Sequence, residues 1–479
     1  MSRKHVVAAA VTLVTVAPLA VAGPVSAAAS PTAGSSTGRV VVGPHGSDSA
    51  AGTAAHPMRT VRSAVQRLGT AGGTVLLRGG VYHQRITLSG RQHLTVRPYR
   101  HEHPVLSGAG LTPPRGRLTA MVQISNSRDV TVRGLEVTGY RTSQLDTVPA
   151  GFYVHGHDRA VHILGNHVHD LGNDNNTLGS FDINAHGIAA YGDNPRRAIR
   201  GLVIAGNRVD HLHLGASESV VVNGNVTGWR ITDNRIHDND NIGIDAIGYE
   251  QTLTGKWRYT QRNRARDGVI VRNTVQRIRS QGNPAYWEDG SWCNCADGIY
   301  VDGGSHIRIA HNRVADSDIG IEVAAENKRG TADHVRVLRN RVTGSLFTGI
   351  TTGGYCNGAE DCGGERTGSS HDNVFSYNWL RNNNRADDGS PELLVQYYAY
   401  SNTFTHNTLI ATNSDHVLYG TVPGDAGVRG KPGNHSDHNH FRARGAGPAQ
   451  MEFGWRGITW TGARKYVVAT GQDRHSTFR

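Results

Sequence analysis

The chain has 479 residues, among them 60 Gly, 16 Pro, 26 His and only 8 Phe, with 37% hydrophobic and 19% charged residues. Val, Ile and Leu recur throughout without single-sign charge blocks, which excludes intrinsic disorder; abundant Gly without a three-residue period excludes collagen and points to many tight turns. A formal charge of +11 suits contact with acidic glycans or another polyanion, or simply a solvated Arg-rich surface. With neither zinc-finger spacing nor an aromatic platform, nucleic acid is not an expected partner.

Arg3 and Lys4 precede an apolar run from Val6 to Ala22, and Val25-Ser26-Ala27 offers small residues for cleavage. Residues 1–29 therefore read as a secretory signal peptide, whose removal takes Arg3 and Lys4 with it and lowers the charge from +11 to +9. Residues 30–38 form a flexible start. No later stretch reaches the roughly 18 apolar residues of a membrane span, so a secreted, extracellular monomer free of the membrane is expected. The cysteines fall in two local pairs, Cys293/Cys295 and Cys356/Cys362. In an exported chain these favour disulfides over a four-Cys zinc site. Cys356–Cys362 would staple a short loop, whereas Cys293 and Cys295 stand too close for comfortable bridging, leaving cross-pairing open.

Residues 39–90 contain an amphipathic stretch, Val61 to Leu68, followed by Gly72-Gly73-Thr74-Val75-Leu76-Leu77 and Gly80-Val81-Tyr82. From there to about residue 420 a short unit repeats. His162-Ile163-Leu164-Gly165-Asn166-His167-Val168 is followed by Val203-Ile204-Ala205-Gly206-Asn207-Arg208-Val209, and further copies centre on Asn234, Asn273, Asn312, Asn340, Asn378 and Asn407. Each copy alternates apolar and polar residues at period two, as a strand with one buried face does. Asn at the bend tolerates left-handed backbone and can hydrogen-bond from copy to copy. Strands this short cannot form ordinary βαβ crossovers; stacking them into a solenoid buries a continuous interior.

On these residues, 40–420 resemble the right-handed parallel β-helix proteins of the pectate lyase-like superfamily. The resemblance implies an all-β, single-stranded right-handed parallel β-helix of roughly ten coils. It divides the chain into an N-terminal cap and first coil (39–90) with a short capping helix, the β-helix proper (91–420), and a closing segment (421–479) around Tyr466–Ser476. Long loops are expected near 170–186, 249–267, 279–297 and 354–372. It further implies an exported carbohydrate-active protein acting on a polysaccharide, acidic or neutral.

The strand that lines the substrate cleft in this superfamily begins here with Gly and an apolar residue: Gly151-Phe152, Gly187-Ile188, Gly243-Ile244, Gly298-Ile299, Gly320-Ile321 and Gly349-Ile350. The copy at Ser219-Val220 fits less well. Alternation sends Tyr153, His155, Tyr191, Asp245, Tyr300, Asp302, Glu322 and Thr351 to the outer face. Asp302 and Glu322, one coil apart and offset by two residues, should have Cβ atoms about 8 Å apart, and Asp245 and Glu322 about 9–10 Å with Tyr300 between them. Such spacings suit an acid and a base flanking a glycosidic bond. Asp245, Asp302 and Glu322 are thus the expected catalytic residues of a glycoside hydrolase requiring no cofactor. Tyr191, Tyr300 and Thr351 would contact sugar, and Trp257 and Trp287, in flanking loops, would stack on it. The family's alternative is a calcium-dependent uronate lyase. In that case the three acids would hold Ca²⁺ and Lys256 or Lys328 would abstract the proton. A non-catalytic glycan-binding surface protein is the third reading. Asp238-Asn239-Asp240-Asn241 and Asp316-Ser317-Asp318 are expected to form bends, Asp297 to orient a neighbour, and the His-rich segments 155–158 and 434–440 to be turns.

Overall fold

The computed structural model describes residues 38–354, 368–412, 417–421 and 428–479. The expected signal peptide and the Cys356/Cys362 pair lie outside them. Almost every strand is short and pairs in parallel with the strand one coil away, giving one 18-stranded and two 13-stranded sheets. One coil shows the plan: Asp297–Asp302 lies in the cleft sheet, Ser305–Ala310 in the second and Arg313–Ala315 in the third. The fold is a parallel β-helix, as the repeat predicts.

Alternation fills its interior. Ile244, Ile299, Ile321 and Ile350 stand in register on successive rungs of the cleft sheet and are fully buried. Each contributes about 1.5–3 kcal/mol by leaving water. The Gly preceding each Ile has a steric cause. A Cβ on Gly298 would lie 2.5 Å from Val314 Cγ1 and 2.8 Å from the Gly320 carbonyl oxygen, and one on Gly320 would lie 2.2 Å from the Gly349 carbonyl oxygen. The bend comes too close to the next coil for any side chain. At Ser219, the exceptional copy, the hydroxyl instead bonds the Ile242 carbonyl at 3.0 Å.

The open ends are covered. The predicted amphipathic stretch is a helix, Val61–Leu68, started by Thr60, whose side chain accepts from Ser63 N–H, and it buries Val61, Ala64 and Val65 against the first coil. At the other end a second helix, Ala463–Thr470, sets Tyr466 against Phe453, with ring centroids 4.6 Å apart. No helix among the described residues is long and apolar enough to cross a membrane. Cys293 and Cys295 are bridged to each other, Cα–Cα 5.4 Å. The sequence expectation that they stand too close is corrected, because the chain folds back there and brings the two Cα atoms within the usual range.

The bend asparagines form a continuous ladder. Each buried side-chain amide, from Asn166 through Asn207, Asn234, Asn273, Asn312, Asn340, Asn378 and Asn407 to Asn439, donates to the Oδ1 of the next at 3.0–3.2 Å. A parallel ladder joins Asn373, Asn402 and Asn434. The segment 434–440 is therefore the last coil's copy of the ladder motif. Asn273 accepts from both nitrogens of Asn234 and donates to the Ile231 carbonyl and to Asn312. Asn273→Ala would strand several of these buried groups, and urea unfolding should show a loss of about 2–4 kcal/mol.

Candidate active site

The cleft sheet places Asp245, Tyr300, Glu322 and Thr351 directly opposite one another on successive rungs, and sets Asp302 two residues along, opposite Ala324. This is the offset the sequence predicts. The surroundings differ from those predicted. The outer face here is covered: Asp245, Asp302 and Glu322 are 2%, 4% and 1% exposed, and Tyr300 and Thr351 are equally buried. The cover comes from loops inserted between strands. The loop 248–265 starts with an antiparallel bridge between Gly248 and Arg264. It reaches across to the segment after Glu322, where Asn327 Oδ1 accepts from Tyr259 Oη at 3.4 Å and from Arg258 at 3.5 Å. The Arg329 guanidinium lies 4.3 Å from the Tyr259 ring centre. On the other side the loop 279–296 is fastened by Asn283 to the Gly215 and Asp240 carbonyls, and by Tyr286 Oη to Asn241.

Under this cover the carboxylates are more numerous than the alternation revealed. Burial, then the charges of Glu218 and Asp302, hold Asp245 well above the ordinary carboxylate range. Burial also dominates at Asp297, followed by the charges of Glu322 and Asp245 and the closeness of the Glu322 side chain, and holds it well above the ordinary carboxylate range. Carboxyls buried so close together disfavour one another's ionised form. Asp302 is raised by burial and by Glu250, Glu322 and Glu218, but its Oδ1 accepts the Glu326 N–H at 2.8 Å, which stabilises its ionised form. Glu326, raised by burial and by Asp302, accepts from Tyr300 Oη at 3.4 Å. Burial pushes Glu250 up to about 7. His186 links the edge of the group: its Nδ1 lies 3.3 Å from Glu218 Oε2 and its Nε2 3.3 Å from Tyr191 Oη.

A carboxyl whose folded value is raised disfavours the folded state once pH exceeds its unfolded value, near 4, and the penalty grows until pH passes the folded value. Glu250→Gln should therefore stabilise the chain at pH 8 by up to about 3 kcal/mol and leave it unchanged at pH 4. Paired urea titrations at the two pH values check this.

Of the remaining predicted residues, Tyr191 is buried and meets Tyr153 edge-on, with centroids 6.0 Å apart. Trp257 packs under Lys256 and Arg262 at 5.4 and 5.1 Å, and Trp287 meets Trp292 at 4.7 Å; each tryptophan is half-buried with its own loop. Lys256 and Lys328 are exposed. The bend residues have structural work: Asp318 Oδ2 accepts from the Ser280 and Ala296 N–H groups, and Asn239 bonds Ser219 Oγ. Asp297, expected to orient a neighbour, stands beside Glu322. Glu218, Glu250 and Glu326 were missed because they occupy bends, where strand periodicity says nothing. Their signal is proximity: each lies within three residues of the end of a cleft strand.

No family model matches the chain. Among solved structures it is similar to the GH136 lacto-N-biosidase from Eubacterium ramulus, with TM-score 0.50 and 14% identity, covering 85% of this chain and 64% of that one, slightly under two thirds of its length. The Azotobacter vinelandii mannuronan C-5 epimerase AlgE6 A-module aligns at TM-score 0.44 and 16% identity over 81% of this chain and 92% of its own. At such identities the lacto-N-biosidase likeness shows the shared fold alone. In sequence, the Bacillus subtilis (strain 168) "Uncharacterized protein YwoF" is 35% identical over 377 residues, covering 78% of this chain and 75% of its own. The chain belongs to the family of that Bacillus protein.

Proposed function

We propose that the chain is an exported polysaccharide-acting enzyme that hydrolyses glycosidic bonds in the covered carboxylate site. The observation that carries this reading is the burial of Asp297, Asp302 and Glu322 together on two adjoining rungs. Glu322, backed by Asp297, keeps a proton for the departing sugar oxygen. Asp302, its anion supported by the Glu326 N–H, activates water. Their strand positions imply a Cβ separation of about 8 Å, compatible with two carboxyls on either side of a scissile bond. Asp245 raises its neighbours' proton affinity, and Tyr300 holds the rung between Asp245 and Glu322. Substrate enters by parting the contact between Tyr259 and Asn327.

The site's charge bears on the substrate. Glu218, Asp245, Glu250, Asp297, Asp302, Glu322 and Glu326 crowd together. Such a site repels a polyuronate, so a neutral glycan is proposed. An elimination mechanism would need Ca²⁺ on Asp245, Asp302 and Glu322. All-oxygen ligands suit that ion in kind, but Tyr300 stands between Asp245 and Glu322 on the ladder. The likeness to the lacto-N-biosidase, named for a sugar-cleaving activity, supports a carbohydrate substrate.

A panel of neutral and uronate-containing glycans tests the reading, each with and without chelator. New reducing ends without ultraviolet absorbance are expected from a neutral glycan, unaffected by chelator. Chelator-sensitive ultraviolet absorbance from a uronate would replace hydrolysis with elimination, and binding without product would make the chain a glycan-binding protein.

A further inference from the structure

A second cluster lies on a different sheet from the carboxylates. Glu136 and His167 are opposite each other on neighbouring strands, and His169, two residues on, shares the same face. The His167 and His169 rings stack at 4.1 Å. An imidazole stands beside each Glu136 oxygen: His169 Nε2 lies 3.2 Å from Oε1 and His103 Nε2 3.1 Å from Oε2. One ligand atom from each of Glu136, His167 and His169 lies within 4.8 Å of the others.

The hydrogen bonds behind these rings fix what faces forward. His169 Nδ1 is 2.6 Å from Asp170 Oδ2, and His167 Nε2 is 2.8 Å from Asp210 Oδ1. An ionised carboxylate only accepts, so each of these nitrogens carries the proton. With its proton on Nδ1, the His169 ring is left with Nε2 as an acceptor, 3.2 Å from a Glu136 oxygen. That nitrogen is buried and makes no hydrogen bond. Two acceptors 3.2 Å apart repel, and a cation bound by both removes the conflict. Across a tetrahedral zinc ion with bonds of about 2.1 Å to nitrogen and about 2.0 Å to oxygen, the N···O edge is about 3.3 Å. Carboxylates behind ligating imidazoles are the usual outer support of such sites.

Two similar clusters lack this arrangement. Asp333, between His306 and His334, is already neutralised by the buried Arg264. Asp437, beside His438 and His475, already accepts two backbone N–H groups and an imidazole.

We propose that Glu136, His167 and His169 hold one divalent transition-metal ion of the zinc class, and that the ion bolts adjacent coils together. The test uses the untagged mature chain, stripped with chelator and dialysed against Zn²⁺ or Co²⁺ at pH 7.5. One metal per chain is expected, with visible Co²⁺ absorption of a tetrahedral site and a melting temperature raised by Zn²⁺. His169→Ala and Glu136→Gln should abolish stoichiometric binding, Asp170→Asn should weaken it about 10-fold or more, and His93→Ala, on another sheet, should leave it unchanged. Circular dichroism confirms that each variant is folded. Absence of stoichiometric metal at saturating Zn²⁺, or binding that survives both His169→Ala and Glu136→Gln, would overturn the proposal and leave an imidazolium–carboxylate pair in its place.

Discussion

Glu322→Gln is expected to lower turnover by about 100- to 10,000-fold, the range over which a positioned proton donor contributes, while the chain stays folded. The substitution keeps the shape of the side chain and its place on the rung opposite Tyr300 and Thr351. It removes the proton that Glu322 is proposed to donate. It also removes the charge that Glu322 would acquire on ionising, which raises Asp297 and Asp302, so both should ionise at lower pH in the variant. Residual activity should therefore show a pH profile whose acid limb moves down, a change that mere loosening of the fold would not produce. Asp302→Asn should cost a similar factor by removing the base, and the double variant should be little worse than either alone, because the two act as a unit. Turnover of Glu322→Gln within a few-fold of the parent would remove the site from consideration.

The second large effect is on stability. Arg264 is fully buried and its guanidinium donates to the carbonyls of Gly303, Gly304 and Thr331 and to the Asp333 carboxylate. It also lies 5.1 Å from the Tyr249 ring centre. Arg264→Ala leaves Asp333 buried without its counter-charge, and breaking such a pair costs about 3–5 kcal/mol. Burial alone would raise Asp333, but the Arg264 charge, with hydrogen bonds from His334 and Ser305, carries it below the ordinary value. A depressed carboxylate stabilises the fold above its unfolded value and loses that contribution as pH falls through its folded value. The gap between parent and variant should therefore be widest near pH 7 and shrink toward pH 2–3. Asp333→Asn added to Arg264→Ala should recover part of the loss. Denaturation curves at pH 7 and pH 3 decide this, and equal gaps at both would refute the charge argument. Because Arg264 anchors the base of the loop that carries Glu250, the variant should lose activity as well.

The coil was legible because its constraints are local. Period-two alternation, a Gly barred from having a Cβ by the next coil, and an Asn at each bend recur wherever the chain turns, so Asn166 or Gly298 can be recognised without its partners. The capping helix at Val61–Leu68 was legible for the same reason. Asp245, Asp302 and Glu322 followed from alternation. What alternation could not supply is what lies above the face: loops of irregular length have no period, so the cover over the site, the inward Glu218, Glu250 and Glu326, and the exposed Lys256 and Lys328 became visible only in three dimensions. The Cys293–Cys295 bridge was missed because spacing along the chain does not report a local reversal. Glu136, His167 and His169 escaped because the sequence separates them by a coil that the fold stacks directly.

The asparagine ladder has a direction. Every amide from Asn166 onward turns its oxygen toward the N-terminal coils, while its nitrogen gives one N–H to the next amide's oxygen and the other to a carbonyl of the preceding coil, so their C=O dipoles add head to tail as peptide dipoles do along a helix. The column has a partial positive pole at its C-terminal end, where Asn439 Nδ2 meets the Asp473 carboxylate at 3.0 Å, while its oxygen pole at Asn166 accepts the Leu135 N–H. A solenoid whose strands carry little net moment thus acquires an axial polarity from one side chain per coil. Asp473, contributed by the closing segment, terminates that polarity as an acidic residue does at a helix N-terminus, so the last residues of the chain complete an electrostatic column that begins some three hundred residues earlier.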